Sequence, residues 1–155
     1  MSRYAESTGV SSEQSRGEIE RTLRRYGATA FAYGWDNDSA TILFEISARR
    51  MKFRLPMPDP NDRTFTHTEA RGLRRSVDAR QQAYEQAVRQ SWRALALVIK
   101  AKLEAVAAGI TTVEDEFLAH IVLPNGATVG EWARPQLAIA YESQRMPALM
   151  PGSGS

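Results

Sequence analysis

Apolar residues recur along this chain with two different periods, and the switch between them divides it into elements. Ile19, Leu23 and Tyr26 fall at i, i+4 and i+7, Ser15 and Glu18 have capping-box spacing, and Gly27 stands where a helix would stop. The pattern predicts a first helix opening near Ser15, with a narrow apolar stripe suited to lying on a sheet. From residue 29 the period falls to two. Residues 29–35 are rich in aromatic side chains, the turn-forming run Asp36-Asn37-Asp38-Ser39 follows, and Ile42, Phe44 and Ile46 then alternate within 40–48. This predicts a hairpin. In a third run Met51, Phe53, Leu55 and Met57 share one face, so Arg50, Lys52 and Arg54 project together from the other.

Pro56, Pro58 and Pro60 end that strand, because proline cannot donate to a ladder. A loop of about fifteen residues is expected up to Ser76, through Phe65, His67 and the basic cluster Arg71, Arg74 and Arg75; that length marks it as functional or mobile. Residues 76–108 hold no Gly or Pro. Tyr84, Val88, Trp92, Leu95, Ile99, Leu103 and Val106 recur there at spacings of three and four, predicting a helix of up to roughly 50 Å that Gly109 stops. Thr111 and Thr112 ahead of Glu114 and Asp115 open a short helix, with Phe117, Leu118 and Ile121 as its buried side. Leu123-Pro124-Asn125-Gly126 reads as a turn, and the pattern leaves open whether Val122 and Thr128 flank it as a hairpin. Thr128 with Glu131 caps a final helix carrying Trp132, Leu137, Ile139 and Tyr141, with Pro135 near its first turn or at a kink.

The expected fold class is therefore α+β: a three-stranded antiparallel sheet, preceded by one helix and packed on a long central helix, with two shorter C-terminal helices. One domain over 1–145 and a flexible Pro/Gly/Ser tail over 146–155 complete the organisation.

Charge adds a clue that hydropathy does not. Counting Lys and Arg against Asp and Glu, residues 1–45 carry 5 against 7, residues 46–102 carry 13 against 5, and residues 103–155 carry 2 against 6. A concentrated positive field attracts polyanions by steering and counterion release, so a nucleic acid, an acidic protein surface or the chain's own acidic ends could each answer it. On the long helix Arg89, Arg93 and Lys100 stand at i, i+4 and i+11, within about 40° of one another. Arg50, Lys52, Arg54, Arg89, Arg93 and Lys100 are thus the candidate nucleic-acid-binding set, a groove if the two rows converge, with Tyr33, Trp35 or Phe65 available to stack bases. The competing reading is two solvated faces, partly neutralised by Glu85, Glu104 and the acidic C-terminal third. Seventeen of the twenty basic residues are Arg, which suits bidentate phosphate recognition, although arginine-rich codon usage produces the same ratio.

Other chemistry is sparse. The absence of cysteine excludes disulfides, thiolate nucleophiles and cysteine metal sites, and with the polar N-terminal segment and no apolar stretch of about 20 residues it leads us to expect a reducing cytoplasm and no membrane. No Gly-x-Ser-x-Gly elbow, phosphate loop or GxGxxG run is present, and His67 and His120 lack ligand spacing, so neither cofactor nor metal is expected and a binding protein is favoured over an enzyme. Glu114-Asp115-Glu116 reads as first-turn dipole complement, and Asp36-Asn37-Asp38 as turn chemistry. A metal nuclease on Asp36, Asp38 and Glu45, with Lys52 nearby, is the one enzymatic alternative. A homo-oligomer using the long helix and Trp132 is a further expectation.

Three stretches carry a likeness: Arg24-Arg25-Tyr26-Gly27-Ala28, the helical segment 92–104, and Glu116-Phe117-Leu118-Ala119 with Leu123-Pro124-Asn125-Gly126 after it. Through them, over most of its length, the chain resembles a family of small uncharacterised bacteriophage and prophage proteins. The resemblance implies a setting, the host cytoplasm during phage replication or lysogeny, and brings no activity or site. The order helix, three strands, long helix also resembles the core of single-strand annealing proteins, at the level of fold alone. The leading expectation is a non-catalytic nucleic-acid-binding accessory protein in phage recombination or replication. The alternative is a small protein-binding module, such as an inhibitor of a host defence factor, acting through the basic patch or the 56–75 loop.

Overall fold

A meander of three strands lies against a pair of helices in the computed structural model, which describes residues 3–36 and 38–146, with side chains from Ser12 onward. The chain runs through α1 (Arg3–Arg25), β1 (Ala30–Trp35), β2 (Ser39–Ile46), β3 (Arg49–Pro56), α2 (Arg63–Thr66), α3 (Val77–Ala107), α4 (Val113–Glu116), a 3-10 turn (Leu118–His120) and α5 (Val129–Ser143). This is the α+β arrangement that the alternating periods predict.

α1 begins earlier than expected. Ser15 and Glu18 lie inside the helix rather than at its start, because a capping pair works only where the preceding chain leaves helical geometry, and here it does not. The C-terminal stop does form at Gly27: its φ of +94° closes a Schellman motif in which Ala28 N–H donates to Leu23 C=O at 2.9 Å.

β2 pairs antiparallel with both neighbours, with Phe44 opposite Phe31 on one side and Met51 on the other. A two-residue turn, Ser47-Ala48, joins β2 to β3, and both residues have positive φ (52° and 60°). Ala48 was expected within the strand. The handedness of strand twist selects this turn even without the Asn-Gly pair that usually announces it. Register then sorts the side chains: Tyr33, Ile42, Phe44, Met51 and Phe53 face the helices, while Ala30, Ala32, Gly34, Thr41, Leu43, Glu45, Arg50, Lys52 and Arg54 face away. The outer edge of β3 is covered by residues 121–122, through a Met51–Ile121 bridge and a 2.8 Å bond from Val122 N–H to Arg50 C=O.

α3 supplies the largest share of the core. Ser76 caps it by accepting from Ala79 N–H, and Tyr84, Val88, Trp92, Leu95, Ala96, Ile99 and Leu103 are buried against Ile19 and Leu23 of α1 and the inner face of the sheet. Phe44, Phe53 and Phe117 form an aromatic cluster with centroids about 6 Å apart, favourable edge-to-face geometry for two of its three pairs. The segment between β3 and α3, expected as a functional or mobile loop, is largely a loop that holds one helical turn and packs on the body: Asp62 caps α2, His67 bridges Arg74, and the Phe65 ring meets Tyr84 edge-on at 5.8 Å.

The C-terminal elements divide. Phe117 and Ile121 are buried as expected, whereas Leu118 is exposed. The hairpin that the pattern left open exists, with a Val122–Thr128 bridge and Gly126 at φ +87°. Thr128 caps α5 by accepting from Glu131 N–H at 3.1 Å, and Pro135 is accommodated within the helix. Yet α5 buries no residue: Leu137, Ile139 and Tyr141 are 58%, 50% and 74% exposed. The expected 146–155 tail lies, except for Met146, outside the described residues. No helix among the described residues is long and apolar enough to cross a membrane.

Candidate nucleic-acid interface

The six candidate cations occupy two separate surfaces. Arg50, Lys52 and Arg54 extend from β3 on the sheet face that no described helix covers, Arg50 and Arg54 exposed and Lys52 half-buried. A strand rises about 3.4 Å per residue, so these alternate side chains are spaced about 7 Å apart along one line. Beside them the face is shallow: β1 contributes only Ala30, Ala32 and Gly34, and β2 contributes Thr41 and Leu43 before Glu45 at its end. Glu45 is the cross-strand neighbour of Arg50, and its carboxylate accepts from the Thr29 hydroxyl at 3.3 Å.

Arg89 and Arg93 lie elsewhere, on the wall of a groove between α1 and α3, and Lys100 is exposed two turns further along α3. The helices pack on the inner face of the sheet and the strand cations leave its outer face, so the sheet stands between the two rows. They do not converge into one groove. The physical cause is the strand period of two: the residues that bury Met51 and Phe53 against the helices necessarily turn Lys52 and Arg54 away from them.

The aromatic side chains offered for base stacking are on the wrong side for it. Tyr33 faces the helices, with the Trp92 ring 5.5 Å away and the Arg16 guanidinium 4.3 Å from its centroid. Phe65 packs on Tyr84, and Trp35 belongs to the same inner-facing set as Tyr33. Among the described residues, the basic face of the sheet carries no aromatic ring.

Carboxylates of the C-terminal third do neutralise cations, but different ones. Glu114 pairs with Arg49 at 3.7 Å and Glu116 with Lys102 at 3.2 Å, tying α4 to the β2–β3 turn and to α3. None of the six candidate cations has a carboxylate within ion-pair distance among the described residues. Asp36 is held below the ordinary carboxylate range chiefly by backbone N–H groups of Asp38 and Ser39, with Arg54 a lesser influence. It is thus a turn residue, and the acidic cluster of the nuclease alternative does not assemble: Glu45 sits at the far end of β2 from Asp36 and Asp38. No group of three potential metal-ligating side chains occurs among the described residues.

The two histidines have structural surroundings. His120 stacks on Phe53 at 3.8 Å, and burial, reinforced by Lys102, depresses its pKa despite a hydrogen bond to the Lys52 backbone. His67 is lowered by desolvation and by Arg63 and Arg74, with its Nδ1 2.7 Å from the Thr66 hydroxyl.

Sequence reasoning missed the polar companions of Arg89 and Arg93. Gln86 and Gln90 interleave with them at i, i+3, i+4 and i+7, a helical polar stripe legible in the sequence; Gln14, Ser15 and Glu18 on the facing wall carry no such signal. Compared with protein families, curated proteins and solved structures, the chain matches none.

Proposed function

We propose that the uncovered face of the sheet binds the phosphate backbone of a nucleic acid, an extended single strand foremost. The observation that supports this reading is the line of Arg50, Lys52 and Arg54 along β3, none of them in an ion pair with a described carboxylate, next to Thr41, Leu43 and Glu45 of β2 and, one strand further, the small side chains of β1. Cations about 7 Å apart along a strand suit successive phosphates of an extended chain, and Ala30, Ala32 and Gly34 leave room for its sugars and bases. With no ring on that face among the described residues, contact is to the backbone and tolerant of sequence. In the phage setting that the resemblance implies, such a protein serves as a non-catalytic accessory to recombination or replication.

Three phosphate contacts on a single strand predict a slope of log affinity on log salt of about −2. Fluorescence anisotropy with labelled oligonucleotides across a salt series measures it. Arg50→Gln, Lys52→Gln and Arg54→Gln together should abolish the salt-dependent component; no retention at low salt, or unchanged binding by the triple variant, would overturn the proposal.

A second reading, a protein-binding module, is favoured by a different observation: the exposed apolar side chains of α5. Its test is a complex that survives nuclease treatment and is lost in Leu137→Ser/Tyr141→Ser.

A further inference from the structure

The surface groove between α1 and α3 is half open to solvent, has a volume of about 560 Å³, within the range of small-ligand sites, and its lining is mostly polar. Arg89 and Arg93 stand one helical turn apart on one wall, about 6 Å along the axis, and neither has a carboxylate partner among the described residues. Their planar forks suit the oxygens of one tetrahedral anion. Around them Gln14, Gln86 and Gln90 supply amides that both donate and accept, while Glu18 on the α1 wall only accepts.

From this we infer a second, independent site: the α1–α3 groove takes a small phosphomonoester of a polyhydroxylated body, a sugar phosphate or a nucleoside monophosphate. The phosphate lies between Arg89 and Arg93, and hydroxyls of the body donate to Glu18 and exchange hydrogen bonds with the glutamines. The two sites differ in scale: Arg89 and Arg93, one turn apart, hold a single phosphate with Glu18 among the lining residues, whereas on the sheet face Glu45 stands at the end of a longer row of cations and accepts from Thr29. A carboxylate in the lining repels a continuous run of phosphates yet rewards a hydroxyl donor, so the groove selects one phosphate with a neutral, hydroxylated remainder. Because the sheet intervenes, the groove fills independently of whatever occupies Arg50, Lys52 and Arg54.

The test is isothermal titration of the full chain with ribose 5-phosphate, adenosine monophosphate, inorganic phosphate and unphosphorylated ribose. One of the two phosphomonoesters should bind saturably and more tightly than inorganic phosphate, with ribose alone silent; whichever binds tighter identifies the source of the phosphate. Arg89→Gln/Arg93→Gln, whose side chains lie outside the core, should weaken binding by more than about tenfold, the loss expected for charge-assisted hydrogen bonds. Glu18→Gln should narrow the preference over inorganic phosphate. The Arg50/Lys52/Arg54 triple variant should bind as the parent does. Absence of saturable binding by both phosphomonoesters, undiminished binding by the double arginine variant, or equal loss in the sheet variant would overturn the inference. None of these outcomes depends on oligonucleotide binding, so the two proposals fail separately.

Discussion

α3 and α5 start alike and end differently. Each is opened by a hydroxyl side chain accepting from the N–H three residues on, Ser76 to Ala79 and Thr128 to Glu131, and each carries large apolar residues at helical spacing. Yet α3 buries seven residues and α5 none. α3 passes over the inner face of the sheet and along α1, whereas α5 touches the body mainly through the 3-10 turn, where Gly130 comes so close that a Cβ would stand 2.9 Å from the Ala119 carbonyl oxygen. Capping and periodicity make a helix; a facing surface makes it part of the core.

That contrast predicts a graded set of outcomes. Trp92→Ala removes the largest fully buried side chain and should cost about 3–5 kcal/mol in denaturant unfolding. A smaller loss would mean that α3 is not the centre of the core. Replacing Ser47-Ala48 by Asn-Gly relieves two positive-φ residues and should stabilise the same transition by about 1 kcal/mol. Thr128→Ala should cost about 1 kcal/mol, and hydrogen exchange should place the loss in α5, with α3 amides unchanged. Loss spread through both helices would show them to be one cooperative unit.

His120 tests the junction between them. Its folded pKa is below the ordinary histidine value, so the unfolded chain takes up the proton first as pH falls through about 6.5. Stability contributed by neutral His120 is complete above that pH and declines below it, towards the folded value. Thermal melts at pH 7.5 and 5.5 should show a smaller acid loss in His120→Gln than in the parent chain; an identical loss would assign the effect to other groups. Smallest of all, Leu137→Ala should change stability by no more than about 0.5 kcal/mol, because its side chain is more than half exposed.

The elements were largely legible where local chemistry and burial agree. Gly27, Gly109, Ser76 and Thr128 mark helix ends in the sequence and do so in the structure, and the alternation in β2 and β3 foretells which residues go inward. Local signals misled where a second condition was needed. Ser15 with Glu18 has the spacing of a cap but sits inside a continuing helix, and Ser47-Ala48 turns the chain without the residues that favour turning. The basic set was legible residue by residue and illegible as a surface. Period two placed Arg50, Lys52 and Arg54 on one side of a strand, and period 3.6 placed Arg89 and Arg93 on one side of a helix.

Sequence alone thus determined most of the secondary elements, with α2, the start of α1 and the 122–128 hairpin excepted, together with the inward-facing halves of β2, β3 and α3 and the clustering of positive charge in the middle of the chain, because each depends on neighbours a few residues apart. Tertiary structure alone decided that the sheet separates the two basic rows, that Tyr33 and Phe65 are packing residues, that Arg89 and Arg93 share a groove with α1, and that α5 stands with its apolar side chains in solvent. The reason is that a periodic pattern states which side of an element is apolar, while only the packed fold brings another element to that side.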